Sequence, residues 1–196
     1  MKTYVATTNE GKLRELKAIF AGSALQLTKP RKLAAVDEDA DTFMGNALLK
    51  ARSLAAALSA RRVHAAVLAD DSGLEVDALH GRPGVHSARY GGTEVEWPQR
   101  RALLLTELRG VPPYLRTARF ICALAFIQPD EAPITVTGQV DGFVMEAECG
   151  SGGFGFDPLF FYPAAGRSFA TLSEKEKNAV SHRRRAADAL LAVLRA

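Results

Sequence analysis

The sequence predicts an α/β fold: a mixed central β-sheet flanked by helices, with a smaller antiparallel lobe and the active-site cleft between them. Three observations predict it. Short apolar runs of strand length alternate with amphipathic helical stretches along the N-terminal part of the chain. Two later apolar runs, Thr117–Ile127 and Ile134–Val140, are separated by the short polar connection Gln128-Pro129-Asp130-Glu131, which favours antiparallel pairing. A closing amphipathic stretch, His182 to Leu194, supplies a last helix. At 196 residues the chain can bury one good core or two tightly joined lobes, and it is read as a single domain, 1–196, with two lobes.

Residues 2 to 7 read as a first strand and not as a signal peptide. The polar turn Thr7-Thr8-Asn9-Glu10-Gly11-Lys12 leads into a helix with Leu13, Leu16, Ile19 and Phe20 at helical spacing. Leu25-Gln26-Leu27 is a second strand, and Lys29 to Asp41 is polar and irregular, with an acidic stretch at Asp37-Glu38-Asp39. The longest helix starts near Thr42, capped by Asp41 or Thr42, and neither Pro nor Gly interrupts residues 46 to 62. Its apolar face uses Phe43, Ala47, Leu48, Ala51, Leu54, Ala55 and Leu58, while Thr42, Asn46, Lys50 and Ser53 form a polar line. Residues 65 to 69 form a central strand, and the alternating Leu74–Leu79 forms another. A helix runs from about Pro98 to Leu108, because proline fits a first helical position. After the Pro112-Pro113 break come strands Thr117–Ile127, Ile134–Val140 and Phe143–Ala147, then a glycine-rich loop from Gly150 to Asp157. Ser173 caps a short acidic helix ahead of the closing one.

Composition narrows the classes. Hydrophobic residues make up 47% of the chain, an ordinary globular content, and no apolar segment is long enough to cross a bilayer. With no export signal visible, the expected compartment is the cytoplasm. The net charge of +3 favours anionic partners but does not separate nucleic acid from a phosphorylated small molecule. The basic clusters Arg61-Arg62 and Arg183-Arg184-Arg185 lack the interleaved aromatics of a single-strand-binding surface. Cys122 sits in the apolar run Phe120–Ile127 and reads as a reduced core residue; it and Cys149 lack the spacing of a metal-ligand pair.

The chemistry concentrates in a few places. The apolar run Ala65–Ala69 leads straight into Asp70-Asp71-Ser72-Gly73, and carboxylates delivered at the end of a buried strand are costly unless something uses them. A hard divalent cation is one such use, and Glu38, in the acidic loop before the long helix, is a second candidate ligand beside Asp71. Strand, polar turn and helix at Thr8–Lys12 make a phosphate-binding geometry, although the Walker pattern is absent. Gly150, Gly152, Gly153 and Gly155 free the backbone for close approach, with Phe154 and Phe156 able to stack on a planar base and Asp157 able to accept from it. Lys175, Lys177, His182 and Arg183 flank the last helix, and Arg89, in Ser87-Ala88-Arg89-Tyr90, is placed to hold phosphates.

Taken in order, these motifs resemble the inosine triphosphate pyrophosphatase family, the non-canonical purine nucleoside triphosphate (dITP/XTP) pyrophosphatases. The resemblance runs along essentially the whole chain: Thr8-Asn9-Glu10-Gly11-Lys12, Thr42-Phe43-Met44-Gly45-Asn46-Ala47, Ala69-Asp70-Asp71-Ser72-Gly73-Leu74, Pro83-Gly84, Ser87-Ala88-Arg89-Tyr90, Gly152–Pro158 and Ser181-His182-Arg183. It implies a magnesium-dependent hydrolase that cuts ITP, dITP and XTP between the α and β phosphates, giving the monophosphate and pyrophosphate. It also implies a homodimer with a nucleoside triphosphate substrate and neither a stable nucleic acid partner nor a membrane. By the same resemblance, Asp71 and Lys50 are catalytic, and Glu38 and Asp71 hold the metal. Thr7, Thr8, Asn9, Glu10, Gly11 and Lys12 grip the phosphates, with Ser72 and Arg89 on the nucleotide. Phe154, Gly155, Phe156, Asp157, Lys177, His182 and Arg183 read and enclose the base. The chain departs from the common bacterial pattern at Thr8, where glycine is usual, and at His86 and Phe156, where tyrosine is usual. The competing readings are a pyrophosphatase for modified pyrimidine or thymidine-like triphosphates, and a non-catalytic nucleotide- or RNA-binding protein.

Overall fold

The computed structural model describes residues 1–195. The strands are β1 (Lys2–Val5), β2 (Gln26–Thr28), β3 (Ala66–Val76), β4 (Thr117–Ile127), β5 (Ile134–Val144), β6 (Phe160–Tyr162) and β7 (Arg167–Ser168). They form one seven-stranded mixed sheet in the order β2-β1-β3-β4-β5-β6-β7. β1 runs parallel to both β2 and β3, whereas the β5-β6-β7 end is antiparallel. The α-helices are α1 (Glu10–Ile19), α2 (Phe43–Ala60), α3 (Trp97–Glu107), α4 (Glu174–Val180) and α5 (His182–Val193). By internal contacts the chain divides into two compact units.

The first unit comprises residues 1–71, 122–138 and 182 onward. Its helices start where local chemistry caps them. The Asn9 side chain accepts from Lys12 N at the head of α1, and the Thr42 side chain accepts from Gly45 N at the head of α2. The core packs Val5, Leu13, Leu16, Phe20, Leu68, Leu124, Phe126 and Leu190. Each such aliphatic or aromatic side chain contributes about 1.5–3 kcal/mol by leaving water. At Gly138, on β5, a Cβ would stand 2.2 Å from the Ala186 backbone nitrogen, so only glycine lets α5 lie this close to the strand.

The second unit comprises Ser72–Ile121 and Gln139–Ser181. Its core is richer in aromatics: Phe120, Phe160 and Phe169 cluster, with ring centroids 4.7 Å apart for Phe120–Phe160 and 4.9 Å for Phe160–Phe169. Glu96 and Gln99 close a capping box at the head of α3, and Ser173 with Glu176 closes another on α4.

Two expectations are corrected. The strands expected at 65–69 and 74–79 are a single strand, β3, which runs through Asp70-Asp71-Ser72-Gly73 and ends before a 3₁₀ turn at Asp77–Leu79. The carboxylates therefore lie within a strand, not at its end. Gly73 lets the turn at Gly84–Ser87 approach the strand closely: a Cβ there would meet Ser87 Oγ at 2.4 Å and the Gly84 carbonyl at 2.5 Å. Likewise Ile134–Val140 and Phe143–Ala147 are not separate strands, because β5 continues to Val144. Gly142 permits this by letting the Phe161 carbonyl approach where a Cβ would stand 2.3 Å away.

Candidate functional site

Side chains alternate along a strand, so Asp70 and Asp71 project to opposite faces of β3. Asp70 is 1% exposed. Its Oδ1 lies 2.7 Å from Lys12 Nζ, and its Oδ2 accepts from Arg183 Nε at 3.0 Å and from the Cys122 thiol at 3.2 Å. Burial alone would raise this carboxyl, but Lys12 and Arg183 outweigh it and hold the group far below the usual carboxylate range. Burial, with the Asp70 charge beside it, pushes the Cys122 thiol well up, so it stays protonated as a donor. On its other side Arg183 donates from Nη1 to Glu15 Oε2 at 2.8 Å, and Arg183 itself is 3% exposed.

Asp71 faces a different set. Its Oδ1 accepts from Lys50 Nζ at 2.8 Å, and its Oδ2 accepts from Asn46 Nδ2 at 3.4 Å. Here burial wins over the attraction of Lys50 and Lys12, and the carboxyl is raised above its ordinary value. Lys50 shifts upward too: burial disfavours its charge, but Asp71 and Glu38 together favour it more strongly. Lys50 and Asn46 stand one turn apart on α2, which is why the polar line along that helix points at β3. The loop before α2 returns to the same place. Glu38 Oε1 lies 3.0 Å from Lys50 Nζ, and Ala40 N donates to Asn46 Oδ1 at 3.0 Å.

The Lys50 ammonium thus bridges the carboxylates of Asp71 and Glu38, so two hard oxygen donors converge on one cation-sized point. That donor set fits magnesium, which takes one or two carboxylates and completes its octahedron with phosphate and water oxygens. Among the described residues, three or more His, Cys, Asp or Glu side chains nowhere gather as a metal cage.

The N-terminal turn has its own order. Thr7 Oγ1 accepts from Asn9 N at 3.2 Å, and Asn9 Oδ1 accepts from Lys12 N at 3.0 Å. α1 begins at Glu10, so Glu10, Gly11 and Lys12 form its first turn, where backbone N–H groups favour an anion. Thr8 and Asn9 are exposed, and Glu10 pairs with Lys29 on the surface.

In the second unit, the Asp157 carboxylate is 2% exposed, accepts from Phe154 N at 2.7 Å and pairs with Lys177, itself 4% exposed. The Lys177 ammonium lies 4.9 Å from the centre of the Phe154 ring, a cation–π contact. Gly153 has φ +70°, and a Cβ there would fall 2.0 Å from Asp157 Oδ2. Arg101 donates to the Gly155 carbonyl at 3.1 Å. Arg89 Nε donates to His86 Nδ1 at 3.2 Å, and Ser72 is half-buried on β3.

Two of the residues expected at the base are packed inside the protein. Phe156 does not offer a face for stacking: it is 2% exposed, and its ring packs edge-on against Trp97 at 5.3 Å and Tyr90 at 6.4 Å. Arg183 is turned inward to Asp70 and Glu15, so it braces the first unit. His182 is buried at the start of α5. Sequence reasoning missed Glu15 and Asn46 as members of these clusters. Glu15 had no signal beyond its place beside the apolar Leu16; Asn46 had one, its position on the polar line with Lys50.

The first unit thus sets Lys50 between two carboxylates, and the capped start of α1 bears a second lysine, Lys12. The Ham1 family model matches residues 3–193, and the chain belongs to that family. A dITP/XTP pyrophosphatase of Geobacillus kaustophilus is 46% identical over 185 residues, covering 93% of this chain and 88% of that protein. One from Salmonella typhi is 41% identical over 198 residues, with 99% and 98% covered. Among solved structures, the Staphylococcus aureus Ham1 protein superposes with a TM-score of 0.86 at 35% identity, covering 100% of this chain and 98% of that one.

Proposed function

We propose that this protein hydrolyses non-canonical purine nucleoside triphosphates (dITP, XTP and ITP) to the monophosphate and pyrophosphate, clearing them from the nucleotide pool. The observation that carries the reading is the Asp71–Lys50–Glu38 cluster, in a chain whose relatives bear the dITP/XTP pyrophosphatase name. Asp71, with its proton affinity raised by burial, is suited to orient the attacking water and take its proton. The water oxygen bonds to phosphorus, the α–β phosphoanhydride bond breaks, and the electron pair leaves with pyrophosphate. Lys50 holds the Asp71 carboxylate in place and adds positive charge where negative charge develops. Lys12, fixed by Asp70, and the first turn of α1 favour the triphosphate's oxygens. Asp71 and Glu38 are the residues that would hold magnesium, which when bound neutralises phosphate charge and lowers the pKa of bound water.

Ser72 and Arg89 are proposed as nucleotide contacts. Phe154, Gly155, Asp157, Lys177 and His182 are proposed to recognise the base, with Phe156 as the packed support of their loop. Hypoxanthine and xanthine carry an oxygen at purine position 6, where adenine carries an amine. A Lys177 ammonium held by Asp157 is a donor suited to that acceptor. A homodimer and a cytoplasmic location belong to the proposal as well; no helix among the described residues is long and apolar enough to cross a membrane.

The test is pyrophosphate release from ITP, dITP, XTP, GTP, ATP, dUTP and dTTP, with magnesium, with EDTA, and with Asp71→Asn. Magnesium-dependent release from the first three, reduced about 10²–10⁴-fold in Asp71→Asn, is expected. Absence of release from the whole panel overturns the reading, and release from dUTP or dTTP instead overturns the base assignment.

A further inference from the structure

We propose that Asn46 is a positioning residue whose single buried carboxamide couples the loop bearing Glu38 to Asp71. The proposal rests on the hydrolase reading above and adds a residue to it.

Asn46 is fully buried, and both ends of its amide are engaged. Oδ1 accepts from Ala40 N at 3.0 Å, and Nδ2 donates to Asp71 Oδ2 at 3.4 Å. One side chain therefore touches both the strand that carries Asp71 and the loop that carries Glu38, two residues before Ala40. That loop has no ladder of its own: residues 33–40 have neither helical nor strand hydrogen bonding. Its position must come from what it touches. Gly45 completes the seat. A Cβ at Gly45 would stand 2.6 Å from Ala40 Cβ, so glycine there lets Ala40 settle on the first turn of α2. Lys50, one turn further on, then meets Glu38 at 3.0 Å and Asp71 at 2.8 Å. Positions 45, 46 and 50 thus act together, the first by absence of a side chain, the second by a two-ended amide, the third by charge.

The amide type matters. An amide is both donor and acceptor, so it can bond a backbone N–H and a carboxylate at once. Aspartate keeps the acceptor for Ala40 and loses the donor for Asp71. Alanine loses both. Asn46 touches neither water nor phosphate in this reading, so its removal should lower turnover more than nucleotide affinity.

The experiment compares wild type, Asn46→Ala, Asn46→Asp and Gly45→Ala by amide hydrogen exchange at Ala40, kcat and KM for dITP, and the magnesium midpoint. In Asn46→Ala, Ala40 should exchange at least about 10-fold faster, and kcat should fall about 10–100-fold with KM within about three-fold. Asn46→Asp should keep Ala40 slow while losing kcat to a similar extent, which separates the two ends of the amide. Gly45→Ala, which favours the helix by propensity, should speed Ala40 exchange and raise the magnesium midpoint. Unchanged Ala40 exchange in Asn46→Ala overturns the proposal, as does kcat within two-fold of wild type once that exchange has accelerated. Should Asn46→Ala not fold, the same criteria apply to Gly45→Ala for the loop and Asn46→Asp for Asp71. Wild type without turnover sinks the hydrolase reading instead, and Ala40 exchange alone then decides whether Asn46 holds the loop.

Discussion

Replacing Asp70 by asparagine removes one charge from a site where three donors converge. Lys12 Nζ lies 2.7 Å away, Arg183 Nε 3.0 Å and Cys122 Sγ 3.2 Å, around a carboxylate 1% exposed. The asparagine is nearly isosteric, so the loss is electrostatic: Arg183 keeps its ion pair with Glu15 but loses the one with Asp70, and Lys12 loses the Asp70 carboxylate. Breaking a buried pair by removing one member costs about 3–5 kcal/mol. For a domain of this size that lowers Tm by about 6–20 °C, at about 2–4 °C per kcal/mol. The pH dependence gives a sharper check. Because the folded-state pKa lies below the unfolded value of about 3.9, the Asp70 contribution is complete above that pH and is lost as pH falls toward the folded value. Wild type should therefore lose its advantage over Asp70→Asn below about pH 4, by about 1.4 kcal/mol per pH unit while the folded carboxylate stays ionised. Urea unfolding followed by circular dichroism from pH 7 to pH 2.5 measures both. A variant as stable as wild type at pH 7, or a gap that does not narrow below pH 4, refutes the reasoning.

Three further outcomes are expected. Gly153→Ala should destabilise the second unit by about 1–3 kcal/mol, because its φ is +70° and a Cβ collides with the Asp157 carboxylate; unchanged thermal unfolding would count against the loop geometry. Lys177→Met should cost about 3–5 kcal/mol by stranding buried Asp157, and adding Asp157→Asn should restore part of the loss; simple additivity in the double-mutant cycle would show the pair is not coupled. In protein free of metal and nucleotide, carboxyl NMR should find Asp71 titrating above the ordinary value of about 3.9 and Asp70 below it, and both moving the same way would contradict the site electrostatics.

Helix starts were legible in the sequence because capping is local. Thr42 and Ser173 bond backbone nitrogens three residues on, and those side-chain types announce themselves at that spacing. The unity of β3 was not legible. Asp-Asp-Ser-Gly reads as turn chemistry, since those residues compete with ladders and tolerate turns. What keeps it a strand lies far off in sequence: Arg183 is 113 positions from Asp70, and Ser87, whose Oγ accepts from Leu74 N at 2.9 Å, comes from a later turn. The inward turn of Arg183 was hidden for the same reason. Three consecutive arginines look like a solvated helix end, yet the first is 3% exposed because Glu15 and Asp70 wait for it inside.

Adjacent aspartates in one strand illustrate how alternation divides labour. Asp70 faces Lys12, Arg183 and a thiol, and stays charged as part of the fold. Asp71 faces Lys50 and an amide, is 5% exposed, and binds its proton more readily. Loss of turnover after mutating either one would look alike in a single activity assay, but the two losses have different origins. Asp70→Asn should lose activity through Lys12 and stability together, and cooling should preserve the fold without restoring the Lys12 partner. Asp71→Asn should lose activity while lowering Tm less than Asp70→Asn does, because burial already disfavours the Asp71 charge and Lys50 keeps its pairing with Glu38. Measuring kcat and Tm on both variants separates the roles, and an Asp71→Asn protein as unstable as Asp70→Asn would mean that the strand's two faces are not divided in this way.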